Sequence, residues 1–192
     1  MSNYGWLPDR PDQRDRLFGT SIPLLGASLP SSTDLRDLFP SVYDQGATNS
    51  CVAQAVAALI EAEHARLGMP NPPHPSRLFL YWNGRVLGGF EGMDAGMYIR
   101  DAIKGVASLG VCPESEWPFD LSPLRQPTVE PFLNAVHFED LVYERVPQDL
   151  DTLKASLVAG RPVIAGFTIY ESFDTAETTA TGIIPMPQFT ER

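Results

Sequence analysis

The chain has 192 residues, 43% of them apolar, which is enough side chain for one large core or two smaller lobes. Twenty-four acidic against 14 basic residues leave a formal charge of −10. That charge repels phosphate backbones and anionic headgroups, and so argues against nucleic-acid or membrane partners.

In chain order, residues 1–30 are rich in proline, charge and small side chains, and read as an extended leader lying on the body. The leader lacks the basic start and apolar run of a signal peptide, and no stretch reaches the ~20 apolar residues of a membrane span. A cytoplasmic location is expected, with export by a non-signal route left open. Thr33 to Asp37 reads as a short turn, Val42-Tyr43 as a short extended segment, and Gln45-Gly46 as the turn before a helix. From Cys51 to about Leu67 six alanines give high helix propensity, Ser50 or Asn49 can cap, and Gly68 and Pro70 stop it. Its first ten residues are apolar nearly all round, so that half is expected buried, with Glu63, His64 and Arg66 nearer the surface.

After the stiff connector Asn71-Pro72-Pro73-His74-Pro75, Ser76 can cap a second helix through Leu78, Phe79, Tyr81 and Trp82. Gly88 to Gly96 is a glycine-rich loop without the Gly-Lys-Ser/Thr ending of a phosphate loop. A third helix is expected from about Met97 to Leu109, ended by Gly110. Beyond Trp117-Pro118-Phe119 the texture turns to strands: Val136-His137-Phe138, Leu141-Val142-Tyr143 and Arg161 to Ile169, with a short helix from Asp149 to Ala159. Trp82, Trp117, Phe119 and Phe167 are expected in the core.

Chemistry concentrates at Cys51. A thiol in the first turn of a helix feels about half a positive charge from unpaired N–H groups, which favours the thiolate. Gln45, six residues earlier, could aim its amide with the Cys51 N–H at one oxygen, an arrangement that stabilises a tetrahedral oxyanion, and Gly46 permits the tight turn between them. Taken alone, a helical cysteine is as readily a small core hydrophobe, so both readings stand at this point. Cys112, 61 positions on, forms no Cys-x-x-Cys with it, and reads as a packed or partly exposed thiol. Asp94 is either a substrate contact or a turn former. No metal constellation is present and no cofactor is implied.

Gln45-Gly46-x-x-x-Ser50-Cys51 followed by an alanine-rich helix resembles the papain family of cysteine peptidases, particularly bacterial members in which the residue after the cysteine, here Val52, is not tryptophan. Asp34-Leu35-Arg36 looks like the start of the mature enzyme, and Asp94-Ala95-Gly96 like the strip that pairs with substrate backbone. Gly110 to Glu114, Trp117-Pro118-Phe119, Gly160 to Val163 and Gly182-Ile183-Ile184 continue the likeness, as do Gly5 to Asp9 and Arg14-Asp15 in the leader. The resemblance implies an α+β, two-lobed fold: a leader over 1–30, a helical lobe over 31–128 carrying the nucleophile, and the first part of an antiparallel β-barrel lobe over 129–192. It implies peptide bonds as substrate, Cys51 as nucleophile with Gln45 at the oxyanion, and Ser50, Asp94, Ala95 and Gly96 against the substrate. A histidine would take the thiol proton and an asparagine would orient it.

The chain departs from that pattern by ending at Arg192, before the family's His-Ala-Val strand would begin. His64, 13 residues along the same helix, lies roughly 20 Å from the thiol. His74 sits in the proline connector. His137 opens a strand of the second lobe, at a position that is not the family's base. The general base is therefore expected from outside this chain, on a C-terminal fragment that also covers the open barrel edge; in a silent short form, that edge would pair with a partner or a second copy. The alternatives are a thiol-dependent acyl transferase or ligase, and a silent module that binds peptides or proteins.

Overall fold

The computed structural model describes residues 4–19, 29–70, 72–120, 122–136 and 143–191. Three helices form the body: α1 (Cys51–Arg66), α2 (Arg77–Gly88) and α3 (Ile99–Leu109). Val52, Ala53, Val56 and Ala57 of α1 pack with Leu78, Phe79, Leu80 and Tyr81 of α2 and with Ala102 and Val106 of α3, and Val111, Cys112 and Trp117 close the core. Gly84 is what lets α2 and α3 meet, because a Cβ there would fall 2.3 Å from Met97 Sδ and 3.4 Å from Ala102 Cα.

The expected starts and stops of α2 hold for the expected reason. Ser76 Oγ accepts from the Phe79 N–H at 3.1 Å and donates to the Trp117 carbonyl at 2.6 Å, so one buried hydroxyl caps the helix and ties it to the loop beyond α3. At α1 the cap is different. Ser50 makes no side-chain capping bond, and its Oγ contacts Thr48 Oγ1 and Gln54 Nε2. The third helix begins at Ile99 because Met97 and Tyr98 are taken up as a strand.

That strand, β2 (Met97–Tyr98), pairs in parallel with β1 (Trp6–Leu7) in the leader, with Trp6 opposite Met97 and Leu7 opposite Tyr98. The leader thus lies extended against the body. It is fastened further along at Arg100, whose backbone N–H donates to Asp9 Oδ1 at 3.1 Å and whose guanidinium grips Asp15 at 3.1 and 2.6 Å and the Arg10 carbonyl at 2.6 Å. Arg145 takes up the next residues, donating its N–H to the Arg16 carbonyl and accepting from the Phe18 N–H.

The second half departs from expectation. Val136 makes a single bridge to Val111, while His137 and the strands read at 137–142 lie outside the described residues. Arg161 to Ile169 joins no ladder among the described residues, and Phe167, expected in the core, is 59% exposed. A strand exists only through a partner's hydrogen bonds, and none of the described residues supplies one. What does form is local: α4 (Val129–Leu133), α5 (Leu150–Val158) and α6 (Ala176–Thr181). Asp149 caps α5 through the Thr152 N–H, and Thr175 caps α6 through the Thr178 N–H.

His64 is also corrected. It is buried, because Ala53, Ala57, Glu61 and His64 fall at helical spacing on one face of α1 and the buried stripe runs past the alanines. Glu61 on that stripe is satisfied by the Tyr43 hydroxyl and the His74 ring.

Candidate active site

Cys51 is the first residue of α1, half-buried and not in a disulfide. The first intrahelical bond runs from the Gln54 N–H to the Ser50 carbonyl at 3.1 Å, so the N–H groups of Cys51 and Val52 have no acceptor within the helix. These two groups, together with the backbone N–H of Gly5, lie near enough to the sulfur to favour its anion.

The approach to this thiol is held by side chains. Gly46 has φ 56°, and its N–H is taken by Asp44 Oδ1 at 2.8 Å. Thr48 Oγ1 donates to the Gln45 carbonyl at 2.8 Å and meets Ser50 Oγ at 2.7 Å. Gln45 Nε2 donates to the Thr48 carbonyl at 2.7 Å. A primary amide carries two N–H donors, so this bond fixes Gln45 and leaves one donor for a further acceptor.

The expectation of a thiolate favoured by the helix end is corrected here. Burial pushes the Cys51 thiol up, and the N–H groups of Gly5, Val52 and Cys51 only partly oppose it. The leader lies beside this thiol. Gly5 is buried against the site: a Cβ on it would fall 1.8 Å from the Asn49 carbonyl oxygen, so only glycine fits between Asn49 and the strip. Its carbonyl accepts from the Met97 N–H at 2.9 Å. Trp6 follows, with its ring over Gly166, where a Cβ would fall 2.0 Å from Trp6 Cε2. Tyr4 reaches the second half, donating to Asp174 Oδ1 at 3.0 Å and meeting Phe173 edge to face at 5.9 Å.

Asp94, Ala95 and Gly96 run beside the start of α1. Gly96 has φ 78° and is buried, and a Cβ on it would fall 2.0 Å from the Gly5 carbonyl oxygen. Its N–H is bonded to the Tyr81 hydroxyl at 3.1 Å. The group that holds the extended backbone of the leader is therefore the Met97 N–H, while Gly96 makes room for it. The Asp94 carboxylate is occupied by protein donors: the Asn49 N–H at 3.1 and 3.3 Å and the Tyr81 hydroxyl at 2.5 Å. Asn49, Tyr81, Met97 and the leader residues Gly5 and Trp6 all meet at the site without being singled out there by the sequence. Of these, Gly5-Trp6 carried a signal, as part of the leader motif.

Neither described histidine reaches the sulfur. His64 is 13 residues along α1, and the His74 ring is held by Glu61, ten residues along it and about 15 Å away. Cys112 is buried at 1% exposure, and burial pushes its thiol up to about 12. Among the described residues no group of three or more His, Cys, Asp or Glu side chains could hold a metal ion, and no helix is long and apolar enough to cross a membrane.

No protein-family profile matches the chain. An uncharacterized peptidase C1-like protein of Acanthamoeba polyphaga mimivirus is 31% identical over 214 residues, covering 99% of this chain and 69% of that protein. The crystal structure of xylellain, a cysteine protease from Xylella fastidiosa, superposes with a TM-score of 0.86 at 36% identity, covering 99% of this chain and 75% of that one. Digestive procathepsin L 3 from the larval midgut of Tenebrio molitor shares the fold, with a TM-score of 0.50 at 19% identity over 65% of this chain and 39% of that one. With its α+β architecture and a thiol opening the first helix, the chain belongs to the papain-like, C1 family of cysteine peptidases.

Proposed function

We propose that this chain carries the nucleophilic half of a cysteine peptidase that hydrolyses peptide bonds in extended polypeptides, and that the leader holds the site closed in the form described. The observation that carries the reading is the leader itself. An extended backbone already lies along β2, its carbonyl on the Met97 N–H and its Gly5 N–H at the sulfur. A groove that accepts one extended peptide in this way has the dimensions for another.

In the reaction, the Cys51 thiolate attacks the scissile carbonyl carbon. The oxygen takes on negative charge, and the Cys51 N–H with the second amide N–H of Gln45 stabilises it. Collapse expels the amine and leaves an acyl-enzyme, which water hydrolyses. Ala95 lines the approach while Ser50 is fully buried, and Tyr4 and Trp6 of the leader (1–30) lie between the helical lobe (31–128) and the first part of the barrel lobe (129–192). The proton acceptor is a histidine on a further segment that seats against the second lobe. What supports this is an uncovered apolar face: Ile183, Met186 and Phe189 are 72%, 88% and fully exposed. Two free thiols fit a reducing compartment such as the cytoplasm.

Hydrolysis of an internally quenched peptide library by the chain together with the segment that supplies the histidine tests the reading. Activity that disappears in Cys51→Ala and persists in Cys112→Ala is expected; activity that survives Cys51→Ala would remove the assignment.

A further inference from the structure

Two parts of the groove must be in register for catalysis: the sulfur at the start of α1, and the strip that holds a peptide backbone. They lie 45 residues apart in sequence, and a specific set of bonds joins them. Asn49, two residues before Cys51, donates its backbone N–H to the Asp94 carboxylate and its side-chain Nδ2 to the Asp94 carbonyl at 2.7 Å. Asp94 accepts the Tyr81 hydroxyl at 2.5 Å, and the Tyr81 oxygen accepts the Gly96 N–H at 3.1 Å. The polarity is fixed, because a carboxylate only accepts and a hydroxyl has one proton to give. Gly96 is followed by Met97, whose N–H holds the extended chain.

Tyr81 is fully buried in α2, so its ring cannot shift without disturbing the core. Burial and the neighbouring carboxylate push its hydroxyl well above the ordinary phenol range, and it stays a donor throughout working pH. Arg85, one turn further along α2 and also fully buried, stacks on the Tyr81 ring at 4.2 Å and donates to the Met93 carbonyl at 2.7 Å, anchoring the loop immediately before Asp94.

We propose that Asp94 and Tyr81 are positioning residues that lock the peptide-holding strip to the nucleophile, through the sequence Asn49, Asp94, Tyr81, Gly96. The inference rests on the reading of Cys51 as a peptidase nucleophile and deepens it. Asp94 then acts through the protein, holding Asn49 and Gly96 at a fixed separation, and makes no direct contact with substrate. Because Asn49 and Tyr81 share the one Asp94 carboxylate, the effects of changing Tyr81 and Asp94 are coupled and should not multiply.

The test uses the full chain with Tyr81→Phe, Asp94→Asn and the double variant. Site-resolved mass spectrometry measures the rate at which Cys51 reacts with a peptidyl chloromethyl ketone and with iodoacetamide. The ratio of the two rates reads how well the groove presents a bound backbone to the sulfur, independently of hydrolysis. A misplacement on the ångström scale costs about tenfold to hundredfold, so each single variant should lose that much in the ratio and the double should lose less than the product of the two. A purely structural role would lower the unfolding temperature and leave the ratio unchanged. An unchanged ratio in both single variants, or losses that multiply in the double, overturns the inference while leaving the peptidase reading intact. A wild-type chain with no preference for the peptidyl reagent removes both together. Should Asp94→Asn fail to fold, Tyr81→Phe, which removes one oxygen and keeps the ring, decides.

Discussion

Replacing Arg100 with alanine should open the groove. Arg100 is the strongest fastening between leader and body: three side-chain bonds of 2.6–3.1 Å go to Asp15 and the Arg10 carbonyl, at 14% exposure for the guanidinium and 9% for the Asp15 carboxylate. Removing one member of a largely buried pair costs about 3–5 kcal/mol. Arg145, 3.5 Å from the same carboxylate, retains part of the attraction, so the lower figure applies. About 3 kcal/mol corresponds to roughly a hundredfold increase in the population with the leader lifted. The assay is alkylation of Cys51 by iodoacetamide, resolved by peptide mapping. Cys112, at 1% exposure, serves as an internal gauge of global unfolding. Cys51 labelling should accelerate by up to that factor with Cys112 unchanged, while Arg14→Ala, which breaks an exposed leader pair with Asp12, should leave it unaltered. Unaltered Cys51 labelling in Arg100→Ala would refute the reasoning, as would parallel acceleration at both cysteines.

Labelling should also carry a pH signature. The reactive species is the thiolate, and burial raises the Cys51 thiol, so the wild-type rate should still be climbing with pH above the range where an ordinary thiol levels off. In Arg100→Ala burial is relieved, and the midpoint should move to lower pH; an identical midpoint would contradict the assigned cause. Gly96→Ala places a methyl 2.0 Å from the Gly5 carbonyl oxygen at a φ of 78°, and should speed iodoacetamide labelling while slowing a peptidyl reagent, because leader and substrate need the same space. Ser76→Ala removes a cap and strands the Trp117 carbonyl, a loss of about 2–3 kcal/mol. In a chain of this size that should lower the melting temperature by about 4–10 °C, followed by circular dichroism.

The helical half was legible because its signals are local. Ser76 before an apolar run, Gly110 after one and the alanines beyond Cys51 each act within a turn or two of the chain. The strip was legible as a motif, yet its roles were distributed differently. Asp94 faces Asn49 and Tyr81, and Gly96 clears a path for a backbone held at Met97, because those pairings join residues 13 to 92 positions apart. Arg161 to Ile169 has the composition of a strand, but a ladder needs a neighbour, and composition cannot provide one. The thiol shows the same limit. Position at a helix start predicts a lowered pKa, while burial of the sulfur outweighs the N–H groups that face it, one of them on Gly5, 46 residues upstream.

The central claim is that Cys51 is the nucleophile under the leader, and acyl transfer to it is the direct measurement. The chain, as wild type and as Arg100→Ala, is incubated with an activated peptide ester, trapped in acid and mapped by mass spectrometry. The account predicts an acyl adduct on Cys51, more abundant in Arg100→Ala, with none on Cys112. No adduct in either protein, or equal acylation of the two cysteines, would contradict it.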